Sequence, residues 1–243
     1  MPRAHMLGDL PGDVTAEEHY RDPPDGVRAN MITTLDGAAA FDGRVRPLSD
    51  PVDQALLLAL RTYADVVLVG AGTVRAEHYG PVRLTPEQSA YRREHWGDDT
   101  PPPIAVVTRS GTLPLDSPLF ASGRRPIVVT TRRTANVKGA RLSDVAEVLV
   151  VGEDTVDIPL LIATLRDRGL RRILCEGGPT LLDELIVHDL IDEMCLTLAP
   201  RMAGPQPLTR EQSCLLDMPR KLTLEHVLSH EDYLYLRYGR GPK

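Results

Sequence analysis

The sequence lacks long apolar runs, a basic block and, for the most part, aromatic residues. No apolar segment approaches the roughly 18 residues of a membrane helix, and residues 1–26 contain no apolar core of a signal peptide. We therefore expect a cytosolic protein without a membrane partner. The net charge of −6, with no interleaving of basic and aromatic residues, argues against a nucleic-acid partner as well.

Cysteine is scarce, and the three cysteines, Cys175, Cys195 and Cys214, are odd in number and far apart. Their spacing fits neither a disulfide framework nor a metal site, so we expect buried or half-buried thiols and no bound metal. The chain also has no GxSxG motif and no metal-binding histidine pair. Hydrolase chemistry is therefore disfavoured.

A chain of 243 residues, 42% of them hydrophobic, suits one domain or at most two small ones. We expect an N-terminal arm over residues 1–26 and one domain over residues 27–243. Strand-like runs occupy 27–33, 64–70, 104–108, 127–131, 147–151 and 172–175, with helical patterns at 50–63, 85–96 and 157–169. This alternation predicts an α/β fold of three layers, with helices on both faces of a mostly parallel sheet. Two alternating runs, 222–228 and 233–238, predict an antiparallel C-terminal hairpin.

The most informative stretch, residues 171–200, predicts a buried strand, a glycine turn, a helix and a second strand. Gly177 and Gly178 end the strand, Pro179 suits a first helical position, and Glu176 lies at the rim of the turn. A helix N-terminus carries free N–H groups and partial positive charge, and glycines allow close approach. The turn is therefore a candidate pyrophosphate site, although a simple strand-to-helix turn is an open alternative.

A second strand, ADVVLVG at 64–70, ends in another glycine turn, GAGTVR at 70–75. The third glycine of a Rossmann fingerprint would fall at Arg75, so a different nucleotide-binding fold is needed. Further along, residues 78–103 are the least regular part of the chain. They fit either a surface insertion or a flap over a substrate pocket.

Four motifs together resemble a known family. The segments NMITTLDGAAAFDG at 30–43, GAGTVRAE at 70–77, CEGGPTLLDELI at 175–186 and DLIDEMCLTLAP at 189–200 resemble the pyrimidine reductase domain of riboflavin biosynthesis, the RibD C-terminal family, over residues 28–238. The resemblance implies a dihydrofolate reductase-like fold, an NADPH cofactor and a homodimer. The deaminase domain often fused to such reductases is not expected, because its paired-cysteine signature is missing.

The resemblance also implies site residues. It assigns substrate contacts to Asn30, Arg61 and Glu176, with Glu176 as the catalytic group. The residues implied for the cofactor are Ile32, Thr34, Asp50, Gly70, Gly72, Thr73, Glu77, Thr108, Arg109, Gly177, Gly178, Pro179, Thr180 and Leu181. Glu176 could instead satisfy backbone donors at the turn, and Arg61 could be a solvated partner of a helix end. If Glu176 is a bystander, Asp36 or Asp50 is the next candidate for a substrate-side carboxylate.

One position departs from the family, because Asn30 stands where the bacterial enzymes carry a lysine. Asparagine forms hydrogen bonds but supplies no cation and no readily transferred proton. The acceptor could thus be the phosphoribosylamino-uracil of riboflavin biosynthesis, another pyrimidine, a pteridine or a folate-like ring. A dihydrofolate reductase-type enzyme and a non-catalytic NADPH-binding module remain alternatives.

NADPH rather than NADH is expected from two loops that follow strands. Residues 108–110, Thr-Arg-Ser, and residues 130–133, Thr-Thr-Arg-Arg, each place cationic and hydroxyl groups where an adenosine 2′-phosphate could be held. Alternatively, these arginines are ordinary solvated charges.

Overall fold

The computed structural model describes residues 16–209, 216 and 218–241. Its strands are β1 (Gly26–Thr34), β2 (Val66–Gly70), β3 (Ile104–Val107), β4 (Ile127–Thr130), β5 (Glu147–Val150), β6 (Arg172–Cys175), β7 (Ile191–Ala199), β8 (Thr223–His230) and β9 (Tyr233–Gly239). Its helices are α1 (Pro51–Thr62), α2 (Ala71–Ala76), α3 (Pro86–Trp96), α4 (Pro118–Ala121), α5 (Arg132–Ser143), α6 (Ile158–Asp167) and α7 (Pro179–Val187). A 3₁₀ turn, Ala16–Tyr20, precedes β1.

The strands form one nine-stranded sheet in the order β5-β4-β3-β2-β6-β1-β7-β9-β8. Neighbours from β5 to β7 are parallel, β9 runs antiparallel to β7, and β8 runs antiparallel to β9. Glu231 and Asp232, both with positive φ, join the last two strands in a tight turn. The predicted α/β fold, with its mostly parallel mixed sheet and antiparallel C-terminal hairpin, is confirmed.

Two hydrophobic cores, one on each face of the sheet, give the three-layer arrangement. One core contains Leu56 and Leu60 of α1 and Leu142 of α5. The other contains Leu165 of α6 and Leu182 of α7. Along β4, consecutive residues point into alternate cores, as expected for a strand covered by helices on both faces.

Three helices were not predicted: α2, α5 and the four-residue α4. α2 occupies residues that we expected to form an irregular turn, and α5 follows β4 directly. The sequence of α5, RRTANVKGARLS, buries only Leu142 and so carries almost no apolar periodicity. Its start is fixed instead by the Thr131 side chain, which accepts a hydrogen bond from Thr134 N.

The α3 helix lies at the amino ends of β2 and β6, whereas the glycine turns lie at their carboxyl ends. Its Arg92 is buried and donates to the carbonyl oxygens of Thr62 at 2.8 Å and Ala64 at 2.6 Å, just before β2 begins. Trp96 stacks on the guanidinium of Arg172, the first residue of β6. The helix therefore braces the amino ends of two strands and does not cover the cleft described below. Of the irregular segment 78–103, only residues 78–80 reach that cleft.

The segment before β1 packs against the first residues of β1 and the last residues of β9. Tyr20 is fully buried, and two buried arginines hold its surroundings: Arg28 donates to Tyr20 O at 2.8 Å and Arg237 donates to His19 O at 2.7 Å. Glu193 pairs with both guanidinium groups. Part of the predicted arm is thus an ordered piece of the core.

Cys175 and Cys195 are free and buried, as predicted, and burial raises the pKa of the Cys175 thiol to about 12. Cys214 lies outside the described residues. In the described part of the chain, no helix has the length and hydrophobicity that crossing a bilayer would require.

Candidate active site

The two glycine turns lie against each other, because β2 and β6 are neighbours in the sheet. Gly70 N donates to Gly177 O at 2.7 Å across the gap between the turns. A Cβ atom on Gly178 would lie 2.7 Å from Thr73 Oγ1, and one on Gly70 would lie 3.4 Å from Gly178 N. The absence of a side chain at Gly178 is therefore what lets this turn pack against Thr73.

The second turn leads into α7, whose N-terminus carries no side-chain cap. Gly178 is the N-cap and Pro179 follows it. Since proline has no N–H, Thr180 and Leu181 carry the first two N–H groups of the helix, and Leu182 N already donates to Gly178 O. These uncapped donors and the helix dipole form a site for an anion such as a pyrophosphate.

A cleft of about 1700 Å³ runs along the carboxyl edge of the sheet and passes both turns. At one end it reaches Thr108, Arg109 and Ser110 after β3, and at the other it is bounded by α1. Single small-molecule sites usually measure about 300–1,000 Å³. The cleft is therefore large enough for a dinucleotide and a second molecule together.

At the α1 end, Glu176 joins two other cleft residues. Arg61 Nε donates to Glu176 Oε1 and Arg61 Nη2 donates to Oε2, both at 2.7 Å, and the Tyr79 hydroxyl donates to Oε2 at 2.5 Å. The Glu176 side chain is 3% exposed. Burial and the adjacent carboxylate raise the pKa of Tyr79 well above its usual range, so this phenol stays protonated as a donor. Although burial opposes its charge, Arg61 has a raised pKa because of Glu176.

Neither alternative considered from the sequence describes these residues. Glu176 satisfies two side chains, not the backbone of the turn, and Arg61 is held in an ion pair and is not solvated at its helix end. Among the described residues no hydrogen bond involves Arg61 Nη1, so these N–H groups could serve a ligand in the cleft. Asn30 also lines the cleft, and its buried Oδ1 has no hydrogen-bond partner among the described residues.

Most of the residues implied by the resemblance meet in this cleft. Those that line it are Asn30, Ile32, Arg61, Gly70, Gly72, Thr73, Glu77, Thr108, Arg109, Glu176, Gly177, Gly178, Pro179, Thr180 and Leu181. Glu77 also accepts a hydrogen bond from Val45 N at 2.7 Å, which ties the α2 end to the loop before α1. Thr108 accepts one from Gly111 N at 3.0 Å and so shapes the loop after β3.

Thr34 and Asp50 do not line the cleft. The buried Thr34 hydroxyl accepts a hydrogen bond from Ala38 N at 2.9 Å and closes the turn after β1. Asp50 is the N-cap of α1, with Asp53 N donating to it at 2.7 Å and the Tyr235 hydroxyl at 2.8 Å. Both side chains are thus occupied in holding the fold.

The other substrate-side carboxylate considered from the sequence, Asp36, is also structural. It accepts hydrogen bonds from Thr34 Oγ1 and from the backbone N–H groups of Gly204 and Ala203. These donors lower the pKa of Asp36 to about 2. Asp36 therefore fastens the turn after β1 to the loop after β7.

The two loops considered for the 2′-phosphate differ in position. Arg109 and Ser110 line the cleft, and an exposed Arg75 of α2 lies on its wall as well. Residues 130–133 do not line it: Thr131 caps α5, and Arg133 pairs with Asp154 on the surface.

The sequence reading missed Asp53, the second carboxylate near the start of α1. It lines the cleft and accepts hydrogen bonds from Thr197 Oγ1 on Oδ1 and from Ser49 Oγ on Oδ2, both at 2.6 Å. Burial, followed by the nearby Asp50, raises its pKa although both hydroxyls favour its charge. Asp53, Leu57 and Arg61 are spaced four residues apart, so they lie on one face of α1. This spacing was the sequence signal that could have placed Asp53 beside Arg61 in the site.

Comparisons with known proteins agree with this architecture. A sequence model described as the RibD C-terminal domain matches residues 26–233. The protein named 2,5-diamino-6-ribosylamino-4(3H)-pyrimidinone 5′-phosphate reductase of Archaeoglobus fulgidus is 32% identical over 181 residues, 73% of this chain and 81% of that protein. A protein of the same name from Methanothermobacter thermautotrophicus is 30% identical over 176 residues, 72% of this chain and 77% of the relative.

Among solved structures, a pyrimidine reductase-like protein from Corynebacterium diphtheriae superimposes with a TM-score of 0.82 at 27% identity. The match covers 95% of this chain and 100% of that chain. The predicted fold is confirmed by this likeness, and the residues that line the cleft lie within residues 26–233, which the sequence model of the family matches.

Proposed function

The chain belongs to the RibD C-terminal domain family, and from that premise we propose that it is an NADPH-dependent reductase of a ribosylaminopyrimidine 5′-phosphate. Members of this family are reductases, and the two relatives named above act, by their names, on 2,5-diamino-6-ribosylamino-4(3H)-pyrimidinone 5′-phosphate. The observation that carries the proposal is one continuous cleft with an anion site at its centre and a paired arginine at one end.

The residues along the cleft fit a nicotinamide dinucleotide. The pyrophosphate would bind the N–H groups of Thr180 and Leu181. Gly178, directly before this helix, has no room for a side chain, since a Cβ atom there would lie too close to Thr73. A 2′-phosphate would lie by Arg109, with Ser110 beside it. When bound, the cofactor supplies the hydride, and the protein is left to position the acceptor and manage one proton.

The remaining end of the cleft suits a phosphorylated sugar joined to a polar ring. Arg61 is fixed by Glu176, so its Nη1 group presents preoriented N–H donors to a phosphate or a hydroxyl. Asn30, which also lines the cleft, has a buried Oδ1 without a hydrogen-bond partner among the described residues. In this arrangement Glu176 contributes mainly by orienting Arg61 and Tyr79.

The direct test is oxidation of NADPH, followed by loss of its reduced-nicotinamide absorbance, with a panel of acceptors. The panel contains the 2,5-diaminopyrimidinone ribosyl phosphate, its 5-aminouracil counterpart and dihydrofolate. Turnover of either ribosylaminopyrimidine supports the proposal. Turnover of dihydrofolate alone would mean a dihydrofolate reductase-type enzyme, and NADPH binding without any turnover would mean a non-catalytic module.

The family resemblance further leads us to expect a homodimer in the cytosol. Leu35, Phe41 and Met202 are large apolar residues that are 64%, 52% and 79% exposed. Leu35 N donates to Arg201 O, so two of the three lie on adjoining loops. Light scattering coupled to size-exclusion chromatography would test the dimer, with a monomeric mass as the contrary result.

A further inference from the structure

We propose that Tyr79 is a positioning residue, which fixes the guanidinium of Arg61 through two separate contacts so that its remaining N–H groups meet the acceptor in one orientation. This inference rests on the proposed function and deepens it, because it states what holds the acceptor-side arginine in place. The resemblance that implied the other site residues gives Tyr79 no role.

Tyr79 contacts both members of the ion pair at the α1 end of the cleft. Its hydroxyl donates to Glu176 Oε2 at 2.5 Å, the oxygen that also accepts from Arg61 Nη2 at 2.7 Å. Its ring lies under the guanidinium, with Arg61 Cζ 5.4 Å from the ring centre, which is within the range of a cation–π contact. The carboxylate and the guanidinium are therefore held by one and the same side chain.

The ion pair alone would not give Arg61 a fixed orientation. A two-pronged arginine–carboxylate pair makes the two groups coplanar, but the pair can still swing as a unit because both side chains are long. The three groups come from different elements: Arg61 from α1, Glu176 from the end of β6 and Tyr79 from the segment after α2. A third contact from a third element removes this freedom, as a supporting residue does for a ligand-binding group.

The backbone after α2 places Tyr79 for this role. His78 adopts a positive φ of 52°, which turns the chain as α2 ends, and Tyr79 N donates to Val74 O at 3.4 Å. The ring then packs against the hydrophobic core on the α1 face of the sheet and also lines the cleft. The apolar part of Tyr79 is thus anchored in the core while its hydroxyl reaches Glu176.

The other arginines that line the cleft lack this support. Among the described residues, Arg46, Arg75 and Arg109 form no ion pair and lie over no aromatic ring, and Arg75 donates only to the carbonyl oxygen of Thr112 at 3.0 Å. Arg61 is therefore the cleft arginine whose planar fork of donors is oriented before a ligand arrives.

The test is a double-mutant cycle between Tyr79 and Arg61, read as kcat/KM for the ribosylaminopyrimidine that the wild type reduces, at saturating NADPH. Tyr79→Phe should lower kcat/KM about tenfold beside Arg61 but less than about twofold in Arg61→Lys, since lysine keeps the charge and has no fork to orient. Tyr79→Leu, which also removes the ring from the guanidinium, should lose more than Tyr79→Phe. Affinity for NADPH should stay unchanged in both Tyr79 variants.

Tyr91→Phe is the matched control and should leave kcat/KM unchanged. Tyr91 is also a half-buried tyrosine with an arginine over its ring, Arg21 at 5.7 Å, but it belongs to α3 and does not line the cleft.

Equal losses from Tyr79→Phe in the two Arg61 backgrounds would overturn the proposal, because Tyr79 would then act by itself on the ligand or on the fold. Full kcat/KM in Tyr79→Phe and Tyr79→Leu would overturn it too. Both results leave the proposed function intact, whereas a wild type that reduces neither ribosylaminopyrimidine contradicts that function.

A measurement without any ligand then decides the role of Tyr79. The Arg61 Nε–H signal in a ¹⁵N nuclear magnetic resonance spectrum, assigned by its loss in Arg61→Lys, should exchange with water several-fold faster in Tyr79→Leu than in the wild type. Equal exchange would overturn the proposal, because Arg61 would be held as firmly without Tyr79.

Discussion

Glu176 accepts hydrogen bonds from Arg61 on both of its carboxylate oxygens, at 2.7 Å each. The Glu176 side chain is 3% exposed, so this two-pronged ion pair is shielded from water. Whether Glu176 is the catalytic group that the resemblance implies, or a residue that orients Arg61 and Tyr79, stays a prediction. Its partners, Arg61 and Tyr79, are the groups left to face a ligand.

Glu176→Gln should separate binding from chemistry. The amide keeps the shape and one acceptor oxygen but loses the charge opposite Arg61, so turnover should fall about a hundredfold while NADPH binds nearly normally. Unfolding free energy should drop by roughly 3 kcal/mol, because a buried guanidinium loses its ionic partner. Steady-state kinetics, NADPH titration and urea unfolding measure the three effects.

Tyr79→Phe is the matched control for that experiment, since it removes one hydrogen bond to Glu176 and leaves the ion pair in place. Its losses should be clearly smaller. Should Glu176→Gln lose cofactor affinity together with turnover, the residue supports the glycine turn itself. Full turnover in Glu176→Gln would make it a bystander.

Gly178→Val should weaken NADPH binding at least about tenfold, or roughly 1.4 kcal/mol. The new Cβ would lie 2.7 Å from Thr73 Oγ1, at the point where the two turns meet and the α7 N–H groups face the cleft. Gly72→Ala is the control, because a Cβ there would have only Arg75 Nη2 nearby, at 4.0 Å. Calorimetry on folded variants decides; unchanged affinity in Gly178→Val would remove the anion site.

Arg109→Ala should reduce the preference for NADPH over NADH by about tenfold, chiefly by weakening NADPH. Arg109 lines the cleft, whereas Arg132 belongs to the loop that does not reach it. Arg132→Ala should therefore leave both affinities unchanged. The prediction fails if wild-type protein binds the two cofactors equally, or if the two alanine variants behave alike.

The hairpin contains a pH-sensitive group. Burial, assisted by Arg237, lowers the pKa of His226 from 6.5 to about 4. The unfolded chain then binds a proton near pH 6.5 that the native protein takes up only near pH 4, so the free energy of unfolding falls as pH is lowered between these values. His226→Phe keeps an aromatic edge against Tyr20 and should flatten this decline. Urea unfolding at several pH values compares the slopes; identical slopes would contradict the shift.

Much of the fold could be predicted from the sequence, because its core elements carry strong periodic signals. The capped start of α3 at Thr85 and of α1 at Asp50 follow from local chemistry alone. α5 could not be found in this way, since it buries only Leu142 and is held by the strands on either side of it. Likewise, nothing local indicates that α3 turns toward the amino ends of the strands.

The glycine turns of the site could be predicted from the sequence, because they depend on local backbone conformation. The side-chain pairs of the site could not, because they join residues that are distant in the sequence. Gly177 and Gly178 indicate that another group approaches the backbone closely, because few other roles require two adjacent glycines after a strand. The pairing of Arg61 with Glu176 joins distant segments, so sequence spacing carries no trace of it. Asp53 was overlooked for a similar reason: one of its hydrogen bonds comes from Thr197, which reaches it only through the register of β7 beside β1.

The contact between the two glycine turns also bears on how this chain can change over time. Gly178 faces Thr73, and Gly70 faces Gly178, although these positions are far apart in the sequence. A side chain gained at Gly178 would therefore have to be offset by a smaller one at Thr73, and we expect these two positions to change together. Transferring either turn alone into another reductase of this fold would therefore introduce one side of this contact without the residues that it packs against.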